Sequence, residues 1–301
     1  MNSFKVNPYF AVILGVITVS TSAIFVKLSS ANAEVIAFYR LFFSVLIMIP
    51  LFFPKYMKTL KQFNLKVWIY TILAGVFLAF HFILWFESLN YTSVASSTVL
   101  VTLQPLFAFV ATYFWFKEKY SFKAILCGLI AILGSFVISW GDFQISGTAL
   151  FGDMLALIAC ALITAYLLLG QVVRNQISLI PYTFIVYLIS TIVLFIYVLI
   201  SKSAFYPYPV EDWGYFILLA IFPTLLGHSL FNWAVKWVST SIISMAILFE
   251  PVGAALLAYF ILKEDLIWTQ WLGGSTIIAS VLIFLRDNYK RKTIPDDGNG
   301  F

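Results

Sequence analysis

Ten apolar stretches, each long enough to cross a lipid bilayer, dominate this chain at residues 8–27, 34–53, 67–87, 93–116, 122–140, 149–170, 180–200, 213–235, 240–262 and 266–285. A helix needs about 20 apolar residues to span the hydrocarbon core. Only helices or closed barrels satisfy every backbone polar group in lipid. Barrel strands alternate in runs of about ten residues, and these stretches do not alternate. The pattern therefore predicts an all-α polytopic membrane protein with ten transmembrane helices. With 62% hydrophobic and 10% charged residues, against roughly a quarter charged in soluble domains, little chain is left for a large extramembrane domain or a nucleic-acid-binding module. The first stretch, with Lys5 ahead of it, has features of a secretory signal. Nine further stretches continue the pattern, so it reads as the first span.

Lysine and arginine fix the expected orientation. If the N-terminus is cytoplasmic, 14 of the 18 basic residues fall on that side and 3 outside (Lys27, Lys202, Lys263), while Arg40 lies within the second helix. Basic residues concentrate on the cytoplasmic side, so both termini are expected there. Residues 289–301, ending Pro295-Asp296-Asp297-Gly298-Asn299-Gly300, read as a disordered cytoplasmic tail. Cys127 and Cys160 have no metal-type spacing and read as small buried hydrophobes.

The chain also resembles itself at an offset of about 146 residues. Gln104-Pro105 matches Glu250-Pro251, Tyr113-Phe114 matches Tyr259-Phe260, Lys117-Glu118 matches Lys263-Glu264, and Gly128 matches Gly274. With a one-residue slip, His81 falls opposite His228. Residues 1–145 and 146–288 are then two repeats of five helices each. Five is odd, so the second copy is expected to be inverted in the membrane. Inverted repeats build carriers whose substrate site lies at the midplane between the halves.

Five plus five helices, Pro105 and Pro251 in the fourth and ninth, and a Lys-Glu pair closing each of those helices resemble the EamA branch of the drug/metabolite transporter superfamily. Lys27 at the end of the first helix and Arg40 early in the second fit the same pattern. The chain departs from it at Val19-Ser20, where Trp-Gly is common, around Ile163-Thr164, where an aromatic is common, and at Gln171, where a basic residue is common. The resemblance implies export or exchange of amino acids or related small metabolites across the cytoplasmic (plasma) membrane.

Ionisable groups within a membrane span are costly and invite a functional reading. Glu250, about ten residues into the ninth helix and directly before Pro251, is a candidate for substrate binding or proton coupling. Proline frees the carbonyl four residues back and breaks the helix, which gives Pro105 and Pro251 the role of helix breaks. Gln104 is the neutral counterpart of Glu250. His81 and Trp85 on the third helix are further substrate-binding candidates. On the eighth, Thr224, His228 and Asn232 form an expected polar stripe at four-residue spacing. Lys27 and Arg40 form an expected outer gate with Glu34, and Arg40 is also placed to reach Glu87 or a substrate carboxylate.

No cofactor and no metal site is expected, because neither histidine has a second ligand three or four residues away. No GxxxxGK[ST] phosphate loop is present, so a solute or proton gradient would supply the energy. The expected activity is alternating-access secondary transport through a cavity lined by the first, third, fourth, sixth, eighth and ninth helices. The expected partners are a small-molecule substrate and the bilayer, with a homodimer as a further possibility and no nucleic acid. The alternatives are a multidrug or lipophilic-cation exporter, an intramembrane enzyme, which would want HExxH or a supported Ser/His pair, and a non-transporting scaffold.

Overall fold

The structure, a computed structural model, describes residues 7–88, 90–92, 94–138, 140, 147–263 and 268–293. Among them every regular element is helical. Nine spans are long and apolar enough to cross a membrane: α1 Pro8–Leu28, α2 Ala33–Gln62, α3 Leu65–Ser88, α4 Ser97–Phe116, α6 Thr148–Val173, α7 Leu179–Ser201, α8 Val210–Ala234, α9 Thr240–Leu262 and α10 Trp268–Asn288. A shorter apolar helix, α5 Phe122–Val137, completes the set of ten. Residue 139, inside the expected stretch, lies outside the described residues. The final helix runs on to Thr293, past the start of the expected tail, and residues 294–301 lie outside the described residues, as does Glu264.

Two helices are interrupted at corresponding places. α4 consists of Val94–Val101 and Gln104–Phe116, and α9 begins as Thr240–Ile247 and Glu250–Leu257. In each, the proline occupies the first turn of the second segment, where its missing N–H costs nothing. The prolines therefore restart these helices. Both helices also end on a lysine in the left-handed conformation, Lys117 at φ 58° and Lys263 at φ 60°. α1 is broken too, at Ser20. Its hydroxyl donates to the Val16 carbonyl at 2.9 Å and to the Glu250 carbonyl at 3.3 Å, so the breaks in α1 and α9 lie against each other.

Helices of the first half pack largely on helices of the second. α3 packs on α6 and α7, α8 on α1 and α2, α4 on α6 and α9 on α1, while α2 meets α7, α4 meets α9 and α5 meets α10. Shifting every helix number by five exchanges these pairs among themselves. Close approach uses small residues, as is common between helices in lipid. A Cβ at Gly75 would lie 2.8 Å from the Val186 carbonyl oxygen of α7, and Ser190 donates to the Gly75 carbonyl at 2.6 Å. Large apolar side chains such as Phe10, Leu133, Ile200 and Leu282 face outward. This inverts the soluble pattern and suits a lipid surround.

Gly75→Ala is therefore expected to destabilise the protein by about 1–3 kcal/mol, because backbone cannot yield as a flexible side chain does. Gly214→Ala, with nothing within 4 Å, should be neutral. Thermal unfolding of the two purified variants in detergent checks the contrast.

Candidate functional site

A cavity lies where the broken helices meet. It is lined by Val19 and Ser22 of α1, Arg40 of α2, His81 and Trp85 of α3, and Val101, Thr102 and Gln104 at the α4 break. Ile163 and Leu167 of α6, His228 and Phe231 of α8, and Ile247 and Glu250 at the α9 break complete it. Six of these seven helices are the ones expected from the sequence, and α2 is the addition. Val101 and Ile247 are the residues four before each proline, whose carbonyls receive no proline N–H. The space open to the centre of a water-sized sphere is about 40 Å³, room for roughly three waters.

Arg40 is the most firmly held polar group here. It is 1% exposed. Its Nε donates to Thr224 Oγ1 at 2.7 Å and its Nη1 to Ser22 Oγ at 3.1 Å. The guanidinium lies 4.5 Å above the centroid of the Phe82 ring. Hydrogen bonds to a charged group contribute about 1.5–3 kcal/mol each, and a desolvated cation–π contact adds up to about 2 kcal/mol. These contacts join α1, α2, α3 and α8. The expected outer gate is corrected: no hydrogen bond or ion pair joins Arg40 to Glu34 or Glu87. Arg40 is the eighth residue of α2, so at 1.5 Å per residue it sits roughly 10 Å below the helix start. Glu34 instead accepts from Ser203, and Glu87 accepts from the Tyr197 hydroxyl at 2.5 Å and from Asn90 at 3.1 Å. Lys27 is exposed in the last turn of α1, away from the cavity lining.

Glu250 faces Arg40 across the cavity without touching it. The two interact electrostatically, yet no hydrogen bond or ion pair joins them, and no described residue bonds the Glu250 carboxylate. Both histidines reach the cavity. His81 Nδ1 lies 3.0 Å from the Ala159 carbonyl, which can only accept, so that nitrogen carries the proton of the bond. His81 also stacks on Trp85 at 5.9 Å. His228 Nδ1, Gln104 Oε1 and Trp85 Nε1 are buried without a hydrogen-bond partner, and all three residues line the cavity.

The expected stripe on α8 does not hold together. Ala220–His228 is a π-helix containing Pro223, and Thr224 Oγ1 donates five residues back to Leu219 at 2.9 Å. The wider turn shifts the phase that a four-residue spacing assumes. Thr224 supports Arg40, His228 faces the cavity, and Asn232 lies outside its lining, donating from Nδ2 to the Tyr166 hydroxyl. Tyr166 in turn packs edge-on to His228 at 6.3 Å. Ser22 and Tyr166 escaped the sequence reading because neither carries charge nor sits beside a proline. Gln171 accepts from the Thr240 N–H and hydroxyl at 2.7 Å each, so it caps α9 where a basic residue could not accept. Among the described residues no group of three His, Cys, Asp or Glu side chains could hold a metal ion. Both cysteines are buried thiols.

A polytopic helical protein whose broken helices enclose a small cavity holding ionisable side chains has the frame of a membrane carrier, and the comparisons with known proteins agree. The model of the EamA-like transporter family matches residues 7–140 and again 150–286. This chain belongs to that family, itself part of the drug/metabolite transporter superfamily. It is similar to the uncharacterized transporter YetK of Bacillus subtilis, 27% identical over 244 residues, covering 79% of this chain and 73% of that one. It is also similar to an uncharacterized transporter of Archaeoglobus fulgidus, 23% identical over 283 residues, covering 92% and 96%. A solved crystal structure shares the fold with a TM-score of 0.79 at 14% identity, covering 95% of this chain and 99% of its own.

If Thr224 serves Arg40, the two positions must be coupled. Thr224→Val alone is expected to cost about 1.5–3 kcal/mol. In an Arg40→Met background the same change should cost much less, giving a coupling above about 1 kcal/mol in a double-mutant cycle of unfolding free energies.

Proposed function

We propose that this chain is a secondary transporter that moves a small zwitterion, an amino acid or close relative, across the cytoplasmic membrane by export or exchange. The observation that carries the reading is a guanidinium and a carboxyl, Arg40 and Glu250, on the walls of one cavity with no bond between them. Buried opposite charges that do not pair with each other are costly. A solute bearing both a carboxylate and an ammonium would complete both. Arginine offers a planar fork of N–H donors suited to a carboxylate, and its Nε and Nη1 are already anchored, leaving the rest of the fork for a ligand. Trp85, Phe231 and the stem of Gln104 would enclose the solute's apolar part. Such a solute must be larger than the roughly three waters the cavity now admits, so binding requires the walls to part.

The mechanism we infer is alternating access between two inverted five-helix halves. Supporting it are the family match in two successive segments, the interruptions at Gln104-Pro105 and Glu250-Pro251, the left-handed Lys117 and Lys263, and helix pairs that exchange when each number is shifted by five. Successive crossings alternate in direction, so helices five apart run oppositely. The distribution of lysine and arginine favours cytoplasmic termini. The cavity is completed within one chain, so the reading does not require a homodimer. A lipophilic-cation exporter is disfavoured by Arg40, whose fixed positive charge would oppose a cationic solute.

Counterflow of radiolabelled neutral amino acids in proteoliposomes tests this reading. Glu250→Gln should cut the exchange rate at least about tenfold, the scale of one lost charged interaction, and flatten its pH dependence. Arg40→Lys should impair it comparably, since an ammonium cannot reproduce the fork. Rates and pH profile unchanged in Glu250→Gln would remove that carboxyl from the mechanism.

A further inference from the structure

A second cavity, wider and more polar, opens on the face that carries Lys119, Lys236 and Asp287. It is lined by the α4–α5 connection from Glu118 to Ser121, by Gln171 and Asn175 at the end of α6, by residues 235–239 between α8 and α9 with Ile242, and by Asp287 and Asn288 of α10. It leaves about 410 Å³ to the centres of water-sized spheres, ample for a small metabolite. Acidic and basic side chains line it together, as suits a solute bearing both charges.

The wall between this vestibule and the central cavity is thin. Leu167 lines the cavity and Gln171, one turn along α6, lines the vestibule. On α9 the corresponding pair is Ile247 and Ile242, about 7.5 Å apart along the axis at 1.5 Å per residue. The wall is polar where a lipid-buried packing layer would be apolar. The Tyr120 hydroxyl lies 2.5 Å from Ser241 Oγ and 2.5 Å from Thr112 Oγ1, and it donates to the Glu118 carboxylate. Thr112 and Ser241 are themselves 2.9 Å apart. One turn from Ser241 toward the cavity, Ser244 Oγ is buried with no partner. On α4, Gln104, Ala108 and Thr112 fall at four-residue spacing and lead from the cavity to this cluster. Burial, and then the hydrogen bond to Glu118, hold the Tyr120 phenol above its ordinary pKa, so it stays a donor.

We propose that the Tyr120 hydroxyl, clasped between Thr112 of α4 and Ser241 of α9, is the latch of a gate between a solute-binding vestibule and the central cavity. The inference rests on the transport reading above and adds to it a second solute site and the route between the two. Tyr120 and Thr112 belong to the first half of the chain and Ser241 to the second, so opening the latch separates the halves at this end. The α4–α5 connection, tethered at Lys117, carries Tyr120 away from α9, and Ser241 and Ser244 then line the path.

Access of a thiol reagent tests the gate without transport. In a Cys127→Ser, Cys160→Ser background, Val101→Cys places a reporter in the central cavity and Lys119→Cys one in the vestibule. Reconstituted protein is treated with a small charged methanethiosulfonate from either side of the membrane. Tyr120→Phe, and separately Ser241→Ala, should speed labelling at position 101 about fivefold to tenfold from the vestibule side, the range a net hydrogen bond supplies. Labelling from the opposite side, and at position 119, should not change. An unchanged rate at 101 in variants that remain monodisperse overturns the proposal. So does equal acceleration from both sides, which would signify loosened packing. Ser241→Ala removes one hydroxyl from a helix and keeps the test available if Tyr120→Phe fails to fold. A gate that responds as expected in a protein that moves no zwitterion would overturn the transport reading and leave the latch standing. Zwitterion counterflow with an unresponsive gate would do the reverse.

Discussion

The Arg40 guanidinium keeps its charge and is 1% exposed, so the protein must be built around it. Two hydroxyls and an aromatic face meet that need, and they come from three other helices: Ser22 of α1, Phe82 of α3 and Thr224 of α8. A charge of this kind costs several kcal/mol if left unpartnered within a membrane. The π-helix of α8 belongs to the same arrangement, since its wider turn accompanies the placement of Thr224 against the guanidinium and of His228 in the cavity. Ser44, one turn along α2, donates back to the Arg40 carbonyl at 2.7 Å and lies 3.3 Å from the Ala220 carbonyl at the start of that π segment. Charge, helix irregularity and cavity form one construction.

The other half of the site is made by interruption. Regular helix exposes side chains only, because its backbone groups are paired internally. By restarting α4 at Gln104 and α9 at Glu250, the chain sets residues on either side of each break, Val101 and Gln104, Ile247 and Glu250, into the cavity wall. Gln104 and Glu250 each begin the helix segment that follows a break, one neutral and the other ionisable. The pocket thus acquires a polarity of its own, with Arg40 and Glu250 both on its walls.

Much of this was legible in the sequence, for identifiable reasons. The all-helical, many-span character followed from the length of the apolar runs, nine of which form helices long enough to cross among the described residues, and the two interruptions from proline beside a polar residue at the same offset. Those signals are local, and tertiary structure had little scope to override them. Arg40 was legible as unusual but was placed at the rim, because sequence distance from a helix start says nothing about which neighbours will be there. Thr224, His228 and Asn232 were grouped by a spacing that holds only for α-helix. The hydroxyls that partner polar groups of the site, Ser22, Tyr166 and Tyr120, were unreadable. Serine and tyrosine are common in such chains, and sequence does not say which residue each will meet: Ser22 meets Arg40 18 residues on and Tyr120 meets Ser241 121 residues on.

The contact between Arg40 and Thr224 spans 184 residues. A ribosome adding about 5–20 residues per second takes roughly ten to forty seconds to cover that distance. Ser22 has by then long emerged, but α2 must reside in the bilayer with one of its anchors still unsynthesised. During that interval a guanidinium worth about 2.5–3.5 kcal/mol of unfavourable insertion has only α1 and, once made, the Phe82 ring for company. Biogenesis of this protein therefore includes a nascent stage in which the early helices are held together chiefly by their neighbours, and their final docking waits on the arrival of α8.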